Sequence, residues 1–191
     1  ASQEAVSRAG LDMSKEIPER VSVMIGSGIG GLGTLSQELQ VLLERGPSKV
    51  NPFLIPMMLG DMASGRVSIL MGAKGPNYSA VSSCSTGADT IGEAAEVIQR
   101  GDADVAITGG SEAAIVPISV AGFNACGALS KRNDQPTKAS RPFDSGRDGF
   151  VLGEGSGILV LESLDHAMER GAQPIAELLG YGASADAYHI T

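Results

Sequence analysis

Cys84 is the residue best placed for nucleophilic chemistry. It closes the run Tyr78-Ser79-Ala80-Val81-Ser82-Ser83 and is followed by Ser85-Thr86-Gly87-Ala88-Asp89. The run before it is short, apolar and β-prone, and Ile91-Gly92-Glu93-Ala94-Ala95-Glu96-Val97-Ile98 behind it has helical periodicity. This pattern predicts a thiol at the joint between a strand and a helix N-terminus. The unpaired N–H groups and dipole of a helix start favour the thiolate, which is the reactive form. They also stabilise an oxyanion formed when a carbonyl is attacked. A small buried cysteine packing like alanine is the commoner use of the residue, and the local pattern leaves both readings open.

Other chemistry-bearing residues are less well supported. His166 sits in Asp165-His166-Ala167-Met168-Glu169-Arg170 and reads as a surface histidine on a charged helix; His189 lies in Ala187-Tyr188-His189-Ile190-Thr191. Either can act in principle as a base for a thiol, and neither has a local pattern that says so. Cys84 and Cys126 lie far apart without C-x-x-C partners, so no metal site is expected. Gly26-Ser27-Gly28-Ile29-Gly30-Gly31 fits G-x-G-x-x-G after a strand. A dinucleotide fingerprint also needs a second strand ending in an acid about 20 positions on. Here that window reads Arg45-Gly46-Pro47-Ser48-Lys49-Val50-Asn51-Pro52, so a close-packing glycine turn is the better reading and no cofactor is expected. Met57, Met58, Met62 and Met71 suit core filling, a greasy pocket or a subunit interface. Arg141, Asp144, Arg147 and Asp148 in the loop 139–150 read as mutually compensating structural charges.

The elements that must position these residues follow from patterning. Val21–Ile25 and Val105–Gly110 read as buried strands and Gly157–Leu161 as a strand, with one more beginning at Ile175–Tyr181. Thr34–Glu44, Met57–Leu70 and Ser163–Arg170 read as helices, the last capped by Gly171. Pro117–Ala128 reads as partly helical, and Pro47–Pro56 and Ser130–Asp148 as loops. Buried strands alternating with helices predict an α/β layered fold with a largely parallel sheet.

Composition narrows the class. The 191 residues are 42% hydrophobic and 19% charged, which is globular material. A net charge of −8 argues against a nucleic-acid surface. No apolar run reaches the roughly 18 residues of a membrane span. Two cysteines make no disulfide framework, so a reducing compartment is expected. The chain starts with Ala1 inside a helical pattern, which suggests a processed product or a fragment.

Several segments together resemble one family. They are Gly26–Gly31, Gly72-Ala73-Lys74-Gly75-Pro76-Asn77, Cys84-Ser85-Thr86-Gly87, Gly101-Asp102-Ala103-Asp104 and Gly109-Gly110-Ser111-Glu112-Ala113. Ala128–Asp134, Ala139–Asp144, Arg147–Gly155 and Asp186-Ala187-Tyr188-His189 complete the series. In this order they resemble the β-ketoacyl-[acyl-carrier-protein] synthases of type II fatty-acid synthesis, the elongating synthase II group above all. The resemblance implies a thiolase-like fold of two related α/β halves stacked as α-β-α-β-α layers. This chain would be mostly the N-terminal half, residues 1–171, with 172–191 opening the C-terminal half. It implies an acyltransferase that carries out a decarboxylating Claisen condensation with malonyl-acyl-carrier protein, acyl carrier protein as partner, and a homodimer in the cytoplasm, or in a plastid or mitochondrion of a eukaryote.

By position, Cys84 matches the family nucleophile, and its own N–H matches one oxyanion donor. Ile29 and Phe123 match acyl-pocket residues, and Leu54 matches one that enters from the partner subunit. The family's two catalytic histidines, a lysine and the second oxyanion donor belong to motifs beyond Thr191; neither His166 nor His189 matches one. A fragment of this kind would be inactive alone. Ser83 replaces a usual alanine, and Gly127 stands where some relatives carry an arginine that docks the carrier protein. A polyketide ketosynthase shares the fold but commonly shows a Cys-Ser-Ser-Ser neighbourhood. A non-catalytic ketosynthase-like subunit usually lacks the cysteine.

Overall fold

The computed structural model describes residues 1–188; His189 lies outside them. The chain forms two compact units. The first comprises Ala1–Gly28, Gly60–Ser111 and Ser156 onward, and the second Ile29–Leu59 and Glu112–Gly155.

The first unit holds the sheet. Strand β1 is Val21–Gly26, β2 is Val105–Glu112 and β3 is Gly155–Glu162, in the spatial order β1-β2-β3. β1 and β2 run parallel, in register from Val21 opposite Val105 to Gly26 opposite Gly110. Every residue of β1 is buried, as expected of a strand covered on both faces. Its odd positions Val21, Val23 and Ile25 pack with Val105, Ile107, Ala73, Val6 and Leu11. Met24 packs with Ala94, Val97, Ala103 and Ala106. The period of two thus splits the strand between two helical layers. Ala63, Val67 and Met71 of helix α4 (Met62–Met71) and Val6 of α1 (Ser2–Arg8) cover the first face. Ala94 and Val97 of helix α5 (Thr86–Gln99) cover the second. Helix α7, Leu164–Glu169, follows β3; Ser163 caps it by accepting from His166 N–H at 3.3 Å, and Gly171 closes it with φ of 72°.

The second unit contains helix α2 (Leu32–Arg45), a 3₁₀ turn at Pro47–Lys49, helix α3 (Leu54–Met58) and helix α6 (Pro117–Ala125). Loop 126–154 is tied by a bridge between Leu129 and Phe150. Asp148 anchors it by accepting from Ser130 Oγ at 2.7 Å and Lys131 N–H at 3.0 Å. The leucines along α2, Leu35, Leu39, Leu42 and Leu43, are all exposed.

Four expectations need correction. The helix expected over Met57–Leu70 is two, because Leu59 is extended (ψ 136°) and Gly60-Asp61 separate α3 from α4. The stretch 47–56, read as a loop, contains a 3₁₀ turn and the start of α3. The run before Cys84 is not a strand. It touches β1 through one bridge, Asn77 opposite Val23, and residues 78–82 then leave without a strand partner. Ile175–Tyr181 also forms no strand among the described residues, and Ile175 and Leu179 lie exposed with no neighbouring strand to pair with. Extended pairing needs a partner in space, which local pattern cannot supply.

Candidate active site

Cys84 lies in the first unit, in the 3₁₀ turn Ser83–Ser85 that leads directly into α5 at Thr86. Its thiol is free and exposed. Ser83, immediately before it, has φ of 56°. That left-handed conformation costs a non-glycine residue roughly 1–2 kcal/mol and persists only where its surroundings over-determine it. The thiol on this strained turn stands exposed just ahead of the first turn of α5. The Cys84 N–H has no hydrogen-bond partner among the described residues, which leaves it open to an oxyanion.

Close packing sets the height of α5 against the sheet. Gly26 ends β1 against the first turn of α5, where a Cβ would collide with Thr86 Cγ2 and Thr90 Oγ1. Thr90 Oγ1 donates to Thr86 O at 2.6 Å, and Thr108 Oγ1 of β2 donates to Thr90 O at 3.1 Å, all buried. The glycine turn singled out in the sequence thus has a packing role at Gly26. The helix start sits at the carboxyl end of the parallel strands, where open α/β sheets place their sites.

The segment before the thiol is held by side chains of α5. Ser82 N–H donates to Thr86 Oγ1 at 2.9 Å, and Ser82 Oγ donates to Asp89 Oδ2. Tyr181 O–H donates to Asp89 Oδ1 at 2.7 Å. The Ser82 and Tyr181 hydroxyls hold the Asp89 carboxyl below its usual range, and the same bond to Asp89, aided by burial, raises the Tyr181 phenol. Sequence reading missed Asp89, although its place three residues after Thr86 put both on one face of the predicted helix.

Of the pocket candidates, Ile29, Leu54 and Phe123 all fall in the second unit. Ile29 is exposed, with its N–H donating to Glu112 Oε2 at 2.9 Å; Leu54 opens α3 and Phe123 lies half-buried on α6. Phe123 meets Phe150 edge to face, with ring centroids 5.2 Å apart at 80°. Phe150 was not singled out from sequence.

His166 is not the surface histidine expected. Its side chain is 21% exposed, with Nδ1 2.8 Å from Glu162 Oε2 and Nε2 2.9 Å from Glu16 Oε2. Arg170 forks onto Glu162 at 2.7 and 2.6 Å. Both ring nitrogens are occupied, so His166 is part of an ion cluster in place of a base. Among the described residues no group of His, Cys, Asp or Glu is arranged to hold a metal, and no helix is long and apolar enough to cross a membrane.

Fold and turn together define an α/β layered domain that presents an exposed thiol at a helix start. The chain belongs to the β-ketoacyl synthases, whose N-terminal domain matches residues 1–167. It is 54% identical over all 191 residues to a 3-oxoacyl-[acyl-carrier-protein] synthase 2 of Staphylococcus aureus, and 52% identical to that of Synechocystis. It spans about half the length of these curated relatives, 47% and 46%. The crystal structure of a β-ketoacyl synthase from Burkholderia phymatum superposes over the whole chain and 47% of its own, with a TM-score of 0.91 and 35% identity. A type II polyketide ketosynthase, solved bound to a hexaketide with its acyl-carrier protein, matches the whole chain and 48% of its own at a TM-score of 0.87 and 36% identity. The thiolase-like fold expected from sequence is thereby shown.

Proposed function

We propose that Cys84 is the acyl-accepting nucleophile of a 3-oxoacyl-[acyl-carrier-protein] synthase of fatty-acid elongation. The observation that carries this is the exposed thiol on a strained turn at the start of α5. The Cys84 thiolate attacks the thioester carbonyl of an acyl-carrier protein; a C–S bond forms to Cys84, and the carrier's thiol leaves. The Cys84 N–H stands ready for the oxyanion of that step. Malonyl-carrier protein then loses CO₂. The resulting carbanion attacks the acyl-Cys84 carbonyl, a C–C bond forms and the Cys84 thiolate departs. The product is 3-oxoacyl-carrier protein, two carbons longer. Higher identity to the fatty-acid relatives than to the polyketide ketosynthase favours elongation over polyketide assembly. Cys84 itself argues against a non-catalytic subunit.

Ile29, Leu54 and Phe123 are the proposed acyl-pocket residues, and the Phe150 ring against Phe123 extends that apolar lining. A homodimer is supported by the exposed apolar residues of the second unit, Leu39 and Leu43 on α2 with Phe53, Ile55 and Met57 around α3. Leu54, half-buried at the start of α3, is the residue proposed from the family resemblance to enter from the partner subunit. The acyl and malonyl carrier proteins are the remaining partners. The catalytic histidines come from the part of the relatives' length that this chain does not span, and residues from Ala172 on open that second half. The cytoplasm is the proposed compartment.

The test is made on the whole protein. Cys84→Ser abolishes condensation, and iodoacetamide labels Cys84 as it inactivates. Inactivation with label on Cys126 alone overturns the reading.

A further inference from the structure

We propose that Asp89 is the positioning residue of the Cys84 turn, acting through Ser82 and itself fixed by Tyr181. The inference deepens the nucleophile reading above and rests on it. Ser82 is the last residue before the strained Ser83, and all three of its polar groups are engaged at or beyond the turn. Its N–H reaches Thr86 Oγ1, its Oγ reaches Asp89 Oδ2, and its C=O accepts from Ser85 N–H at 3.2 Å. Thr86 and Asp89 stand one turn apart on the same face of α5, so together they grip Ser82 from the helix side.

The carboxylate has a second oxygen, and Tyr181 O–H takes it at 2.7 Å. The Tyr181 ring packs on α5 at Gly92, where a Cβ would collide with it. Gly92 follows Asp89 by three positions, so ring and hydroxyl dock on one stripe of the helix. An ionised carboxylate accepts only, and can take two hydroxyls at once without a competing donor. Asp89 therefore links three stretches of chain that are distant or strained: the segment before the thiol, the first turn of α5, and the segment following α7. Left-handed backbone at a non-glycine residue needs such over-determination to persist. Asp89 contacts Ser82 and Tyr181, so its contribution is the geometry of the turn and not a proton.

An acid in the first turn of a helix also stabilises the helix dipole, and the test separates the two roles. Loading of Cys84 is measured in the whole protein with octanoyl-pantetheine as acyl donor, as kcat and KM for thioester formation, beside thermal melting. Asp89→Ala and Ser82→Ala each lower kcat for loading by about tenfold to a hundredfold with KM unchanged, since misplacing a reacting group by about 1 Å costs that much. The double variant loads no more slowly than either single one, because both act through one link. Asp89→Asn, whose amide oxygen still accepts, recovers most of the rate although it has lost the charge. Tyr181→Phe gives a smaller loss of the same kind. Ser82→Ala leaves α5 intact and carries the test where Asp89→Ala fails to fold. Wild-type loading by Asp89→Ala, losses that multiply in the double variant, or Asp89→Asn as slow as Asp89→Ala overturns the proposal while Cys84 still loads. Wild-type protein that never forms an acyl-Cys84 thioester overturns the nucleophile reading as well.

Discussion

Gly26→Ala is the sharpest test of how the Cys84 turn is held at the sheet. The new Cβ would overlap Thr86 Cγ2 and Thr90 Oγ1, and would come within 3.2 Å of Thr86 O. Both threonines are buried and β-branched, so neither side chain swings away freely. Overpacking of this kind costs about 1–3 kcal/mol. Moving Thr90 also breaks its 2.6 Å bond to Thr86 O, a buried pairing whose loss costs about 1–3 kcal/mol. The expected destabilisation is therefore about 2–6 kcal/mol, read as a lower urea midpoint with unchanged slope. On the proposed function, acyl loading of Cys84 in the whole protein falls with it, because the helix start must lift away from β1. Thr86→Ser removes Cγ2 but keeps the hydroxyl that accepts from Ser82 N–H. Combined with Gly26→Ala it recovers about half of the lost stability, a coupling expected of residues in contact. An unchanged midpoint in Gly26→Ala, or losses that simply add in the double variant, refutes the packing argument.

Two further outcomes follow from the turn and the ion cluster. Ser83→Gly removes left-handed strain worth roughly 1–2 kcal/mol but adds about 0.5–1 kcal/mol of chain entropy, so its midpoint stays level or rises slightly, whereas Ser83→Val falls by more than about 1 kcal/mol. A Ser83→Val variant of wild-type stability excludes the strain. Burial opposes the charging of His166, but its hydrogen bonds to Glu162 and Glu16 prevail and raise it above the ordinary imidazole range, with Arg170 on Glu162 and Asp104 nearby. A raised group stabilises fully below its unfolded value, about 6.5, and loses that contribution as pH climbs through the folded value. The His166→Gln variant therefore differs most from wild type in slightly acid urea melts, and the difference shrinks toward alkaline pH. A difference that grows with pH contradicts the assignment.

Much of this site was legible because its determinants are local. Val21–Ile25 and Val105–Gly110 announce themselves as buried strands by their mostly apolar, β-branched character. The small residues after Cys84 mark the helix start that the structure places at Thr86. What escaped depends on partners distant in sequence. Residues 78–82 and 175–181 have strand-like composition but no strand beside them. His166 looked solvated on its own helix, and only Glu16, 150 positions away, shows why it is half-buried. The break between α3 and α4 was readable from Gly60-Asp61, had helix-breaking residues been weighed above the methionine run. The grip of Asp89 on Ser82 was half visible, since the spacing was local but the Tyr181 hydroxyl that completes it is not.

The parallel pairing of β1 with β2 has a consequence for biosynthesis. Val21 pairs with Val105, 84 positions later, and closing a loop of that length costs roughly 4 kcal/mol of chain entropy before any ladder bond repays it. On a ribosome adding about 5–20 residues per second, β1 waits about 4–17 s for its partner strand to be made. Through that interval a strand that is apolar but for Ser22, and buried along its whole length in the fold, stands without its neighbour. The Cys84 turn is seated on that same strand through Gly26, and Thr90 beneath it is held by Thr108 of β2. Translation speed and chaperone access across residues 21–110 therefore bear directly on how much of this protein reaches the folded Cys84 turn.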